Sequence, residues 1–251
     1  MEIIKIRIFI ICILFLSTTA KVGATVNPKE KARFIQQLEQ GEQINIVTLG
    51  TSLTGGKWRW VDVMKEWLDN CYPGQVCVEN LGVGASASMT VPLMKGNQYT
   101  WKKCGVDRIS EAIAANPDVV FIEFAVNDSY IPYNISVSDS RNNLESMIHS
   151  LKEANAEVEI ILQTMNVVID MPELNLTAST QRPDLLKYLK MYKWVAKKYN
   201  LLLIDHYSNW NRFLKQEGRE EYIKVVSDGI HPNLEGYRLI LLPELKKSLN
   251  Q

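Results

Sequence analysis

Ile44-Asn45-Ile46-Val47-Thr48-Leu49-Gly50-Thr51-Ser52-Leu53-Thr54-Gly55 decides how this chain is read. The run Ile44 to Leu49 is short, apolar and β-branched, the pattern of a strand buried on both faces. A Gly-Thr-Ser turn closes it, so the Ser52 hydroxyl emerges at the strand's C-terminal end. In open α/β sheets ligands bind at that edge. Outward from this strand, apolar runs alternate with amphipathic ones. Strands are expected at Val76 to Glu79, Val119 to Phe124, Val158 to Gln163 and Leu201 to Ile204. Helices are expected at Pro28 to Gln40, Trp58 to Asn70, Val106 to Ala115, Ser138 to Ala154, Pro183 to Tyr199 and Leu234 to Leu249. Such alternation predicts an α/β fold, one three-layer domain with a parallel sheet between two layers of helices.

Chemistry-bearing residues gather at the predicted strand ends. A serine hydroxyl is a weak nucleophile that needs a neighbouring base, and the base needs a third group to hold its tautomer. Near the C-terminus, Asp228-Gly229-Ile230-His231-Pro232 places a carboxylate three residues before an imidazole, with a glycine that lets the chain curl. The chain has 3 histidines. His149 falls in a charged helix; His206 follows the last strand, and Asp205 beside it points away if that strand continues. His231 is therefore the expected base and Asp228 its partner. Asn127, past the strand that begins at Val119, stands at the same edge as Ser52 and can donate an amide N–H to a developing oxyanion, a contribution of about 3 kcal/mol. Asn80-Leu81-Gly82-Val83-Gly84-Ala85-Ser86 follows the second strand, and its small residues let backbone amides approach a ligand.

These four blocks, in this order, resemble the SGNH hydrolases, the GDSL lipase and esterase family, over the span from Ile44 to the C-terminus. The resemblance implies the flavodoxin-like strand order and assigns Ser52 as nucleophile, His231 as base and Asp228 as its partner. It implies an oxyanion site made by Asn127, the Ser52 N–H and the backbone of Gly84 or Ala85. The chain departs from the family pattern where Thr51 replaces the usual Asp and where Ala85 falls at the usual oxyanion glycine. The third block reads Ala-Val-Asn-Asp without the Gly that often precedes its Asn. The competing nucleophile elbow, Gly-x-Ser-x-Gly, fails at Thr54.

Residues 1–24 read as a secretory signal: Lys5 and Arg7, then an apolar core from Ile8 to Leu16, then Val22-Gly23-Ala24. The core is short for a transmembrane helix. Residues 25–251 form the expected single domain of a secreted or periplasmic protein, carrying a formal charge of −2 once Lys5, Arg7, Lys21 and Glu2 are removed. That balance points to neither nucleic acid nor an anionic membrane as partner. Of Cys71, Cys77 and Cys104, two can pair, and Cys71 and Cys77 lie nearest in sequence. Their spacing fits no metal site and nothing calls for a cofactor. Trp58, Trp101 and Tyr130 lie near the site-bearing loops and are candidate substrate contacts, whereas Trp60 and Trp67 share one helix face and are expected in the core. The expected activity is hydrolysis of a small-molecule or polysaccharide ester, foremost a carbohydrate O-acetyl ester. The same site would serve an O-acetyltransferase, a lipase or a thioesterase; a catalytically weak glycan-binding protein is the reading from another class.

Overall fold

The computed structural model describes residues 31–95 and 98–250. The proposed signal segment lies outside the described residues. Five parallel strands form the central sheet: β1 (Ile44–Gly50), β2 (Val76–Asn80), β5 (Val119–Glu123), β6 (Glu159–Thr164) and β7 (Leu202–Asp205). Their spatial order is β2-β1-β5-β6-β7, so the sheet begins at an edge, steps to β1 and then runs outward through the later strands. This is the flavodoxin-like order, and the reversal beside β1 makes the cleft at the strands' C-terminal ends the ligand-binding place. The hairpin of β3 (Val91–Lys95) and β4 (Gln98–Lys102), which pairs Pro92 with Trp101, lies outside that sheet and was not expected from sequence.

Burial follows strand position. Val119, Val120, Phe121 and Ile122 in β5 are fully buried, as are Ile46, Val47 and Leu49 in β1 to within one per cent. Helices cover both faces, so no side of these strands meets water. The edge strand β2 is only partly covered. Trp60, at 0% exposure, packs its ring 5.6 Å from Phe121, and Trp67 is buried on the same helix, α2 (Trp60–Cys71), as expected.

The helices are α1 (Arg33–Glu39), α2, α3 (Ile109–Ala114), α5 (Val137–Ala154), α6 (Leu185–Tyr199), α7 (His206–Val225) and the C-terminal α9 (Leu242–Leu249). A single helical turn, α4 (Ala125–Asp128), follows β5, and another, α8 (Leu234–Gly236), leads through a π-helical stretch, Tyr237–Leu241, into α9. Ser136 starts α5 by accepting a hydrogen bond from the Asp139 N–H while Asp139 accepts from the Ser136 N–H, a reciprocal cap. Sequence reasoning passed over α7. Its first residue, His206, follows directly on β7, and Asp205 turns back to accept from the Ser208 N–H at 3.3 Å. The strand does not continue past Asp205, so the alternation argument applied to that residue is replaced by a helix cap. Cys71, Cys77 and Cys104 are unpaired, the first two exposed and the third buried.

Candidate active site

Register brings the sequence blocks to one edge. Gly50 at the end of β1 lies opposite Glu123 at the end of β5, and Thr48 lies opposite Asn80 at the end of β2. The loops that follow β1, β2 and β5 therefore start side by side, carrying Ser52, Gly84 with Ala85, and Asn127.

Ser52 and His231 are 179 residues apart in sequence, yet the Ser52 Oγ is 2.8 Å from His231 Nε2. The His231 Nδ1 is 2.6 Å from Asp228 Oδ2. An ionised carboxylate only accepts, so it holds the ring proton on Nδ1 and leaves Nε2 free to accept from the serine hydroxyl. The Asp228 Oδ1 accepts from the Ile230 N–H at 2.9 Å and the His231 N–H at 2.7 Å, which locks the curl. Burial alone would raise the Asp228 carboxyl. The His231 side chain and the two backbone N–H groups outweigh it and hold the group far below its ordinary value. Gly229 makes the curl possible: its φ is +77°, and a Cβ there would fall 2.2 Å from the Ile169 carbonyl oxygen. Asn166, donating to the Ile230 carbonyl at 2.7 Å, ties the loop to the end of β6.

The loop that carries Ser52 is anchored from beneath by Glu123. This carboxylate, 1% exposed, accepts from the Thr51 N–H at 2.7 Å, from the Thr54 hydroxyl at 2.6 Å and from the Thr51 hydroxyl at 3.1 Å. Burial pushes it up to about 7 despite these donors. A Cβ at Gly50 would collide with the same carboxylate at 2.3 Å, so glycine is the residue that admits Glu123. Thr51 thus takes its hydrogen bonds from β5. Asn80 adds a lateral tie, donating to the Thr54 carbonyl at 2.9 Å while accepting from the Thr48 hydroxyl at 3.0 Å.

Asn127 is 7% exposed, and its amide donates to the Ser86 carbonyl at 2.8 Å, joining the β5 and β2 loops. One of its two amide hydrogens is thereby used and one remains. Asp128 beside it is buried and receives the Ser88 N–H and the Ser140 hydroxyl; burial pushes it up to about 6. The N–H groups of Ser52, Gly84 and Ala85 meet no acceptor among the described residues. Ala85 takes φ +54°, a left-handed conformation that non-glycine residues adopt at a cost, and Tyr133 holds it by donating to its carbonyl at 3.0 Å.

Of the candidate substrate contacts, Trp58 and Trp101 are each 66% exposed, whereas Tyr130 stacks edge-on against Tyr133 with centroids 5.0 Å apart. Tyr130, Leu176, Arg182, Asp228 and Ile230 line a cavity of about 270 Å³ beside the carboxylate of the site. A larger groove of about 560 Å³ between α5 and α6 holds none of these groups. The other two histidines are elsewhere: His206 is buried against Gln163 at 3.1 Å, and His149 contacts the Tyr199 hydroxyl at 3.1 Å. Glu123 and Arg182 were not singled out from sequence. An acid at the end of the otherwise apolar Val119 to Phe124 run was a readable signal for the first. Arg182 stands in a loop without motif.

The GDSL-like lipase/acylhydrolase family model matches residues 18–239. An acetylxylan esterase of Xylanibacter ruminicola is 28% identical over 223 residues; the match covers 78% of this chain and 41% of that protein, so the chain spans less than half of its relative's length. Among solved structures, an acetylxylan esterase of Geobacillus stearothermophilus, represented by a catalytic mutant, superposes with a TM-score of 0.63 at 19% identity, covering 83% of this chain and 95% of that one. A lipase/acylhydrolase of Enterococcus faecalis superposes with a TM-score of 0.61 at 23% identity, covering 83% and 96%. These structures share the fold, and the match to the family model over most of the chain places it in the GDSL-like lipase/acylhydrolase family.

Proposed function

We propose that this chain is a secreted carbohydrate esterase that removes O-acetyl groups, with Ser52 as nucleophile, His231 as base and Asp228 as its orienting carboxylate. The continuous contact from Ser52 Oγ through His231 to Asp228, 2.8 Å and 2.6 Å, carries the proposal. Ser52 Oγ attacks the acyl carbonyl carbon as its proton passes to His231 Nε2. The oxygen of the tetrahedral intermediate accepts from the spare Asn127 amide hydrogen, from the Ser52 N–H and from the backbone of Ala85 or Gly84. As the intermediate collapses, His231 returns the proton to the departing sugar oxygen, leaving an acyl-enzyme. Water, deprotonated by the same imidazole, then releases acetate.

The carbohydrate preference is supported by the relatives named as acetylxylan esterases and by the exposed indoles of Trp58 and Trp101, which present flat apolar faces to a sugar ring. Export rests on the sequence of residues 1–24, which leaves residues 25–251 as the working domain. No helix among the described residues is long and apolar enough to cross a membrane.

Release of p-nitrophenol from acetyl, butyryl and octanoyl esters tests the chemistry, with acetate release from acetylated xylan as the second readout. The acetyl ester should be preferred, and Ser52→Ala should lower kcat by about 10³-fold or more. Turnover by the Ser52→Ala protein equal to that of the parent would remove the serine mechanism.

A further inference from the structure

Arg182 is 8% exposed, and no carboxylate among the described residues lies within ion-pair distance of it. A buried cation without a counter-ion is costly to desolvate. The Arg182 Nε donates to the Val126 carbonyl at 2.8 Å, Nη1 to the Ala178 carbonyl at 2.9 Å and Nη2 to Asn127 Oδ1 at 3.4 Å. The Tyr130 ring, 4.7 Å from Cζ, covers one face of the guanidinium. Three of five donors thus grip the turn that carries Asn127 or the loop beside it.

An asparagine amide can sit in two nearly isosteric orientations, and only one presents N–H groups to the reacting carbonyl. Arg182 can only donate, so it faces Oδ1; the Ser86 carbonyl can only accept, so it faces Nδ2. Both neighbours select the same orientation. A cation at Oδ1 also polarises the amide and makes its N–H a stronger donor. The stronger N–H counts most where negative charge develops on the oxyanion, so the gain falls on the transition state.

We propose that Arg182 is a positioning residue of the oxyanion site, orienting the Asn127 amide toward the reacting carbonyl and strengthening its N–H as a donor. This rests on the reading of Asn127 as an oxyanion donor, and the test separates the two.

The test is a cycle on p-nitrophenyl acetate with the parent, Asn127→Ala, Arg182→Met and the double variant. Asn127→Ala should lower kcat by about 100-fold. Arg182→Met should lower kcat by about 10-fold with KM changed less than about twofold, because the loss falls on the transition state. The double variant should stay within about threefold of Asn127→Ala, since without the amide there is nothing left to position. A double variant slower than Asn127→Ala by the whole Arg182→Met factor, or Arg182→Met at the parental kcat, overturns the inference while the Asn127 reading stands. Asn127→Ala at the parental rate overturns that reading, and the inference with it. Arg182→Lys keeps the charge and should be faster than Arg182→Met; equal rates overturn the polarising role. If Arg182→Met melts below the working temperature, Arg182→Gln takes its place in the cycle with the same expectations.

Discussion

Asp228 does two jobs with its two oxygens, and a conservative substitution separates them. In Asp228→Asn, the side-chain oxygen can still accept from the Ile230 and His231 N–H groups, so the loop keeps its curl. The amide nitrogen then faces His231 Nδ1 as a donor, drives the ring proton to Nε2 and removes the acceptor that faces the Ser52 hydroxyl. Steady-state kinetics should show kcat lower by about 10³-fold to 10⁴-fold with the circular-dichroism spectrum unchanged. Full activity would take Asp228 out of the proposed triad. The departure at Thr51 also resolves at this scale. A Thr hydroxyl cannot make the hydrogen bonds of an Asp carboxylate, and here Glu123 on β5 supplies the carboxylate, with Thr51 and Thr54 as donors to it.

Among the elements, the loop between α7 and α8 depends on one backbone position. Gly229→Ala forces an L-residue to φ +77° and drives its Cβ against the Ile169 carbonyl, 2.2 Å away. The backbone term alone costs about 1–2 kcal/mol. The variant should lose that much or more in urea unfolding and, on the proposed mechanism, at least about tenfold in kcat, because displacement of Ile230 and His231 lengthens the contact with Ser52. A variant with parental kcat would show that the curl tolerates movement. The main strands and most helices were legible because each is apolar with a clean period. α7 was not: it is strongly charged, weakly amphipathic and broken at Gly218, whose φ is +85°. Its place is decided by Trp210 and Tyr222, buried against each other with rings 5.8 Å apart, a contact made by tertiary packing.

For the whole molecule, buried titratable groups set the pH range of stability. Burial lowers His206 from 6.5 to about 3, although Asp205 beside it pulls the other way. Its contribution is therefore whole above 6.5 and is lost as pH falls toward 3, because the unfolded chain takes up a proton that the folded chain refuses. Glu123, raised from 4.5 to about 7, and Asp128, raised from 3.8 to about 6, act in the opposite sense: their contributions are whole in acid and are lost as pH rises through those values. Comparison with His206→Gln isolates the histidine. Relative to that variant, the parent should lose about 1.4 kcal/mol for each pH unit below the ordinary histidine value, read from urea unfolding at pH 7.5 and 5.5. A difference that stays constant with pH would mean that His206 is not held neutral. Sequence by itself determined the α/β class, the five parallel strands and the identity of Ser52, Asn127, Asp228 and His231 as the groups to watch, because periodicity and short turn motifs are local properties of the chain. Tertiary structure alone decided that Ser52 and His231 meet across 179 residues, that Glu123 underpins the Ser52 loop and that Arg182 reaches Asn127. Those contacts depend on strand order and on the burial of charges, and both arise only when distant segments pack together.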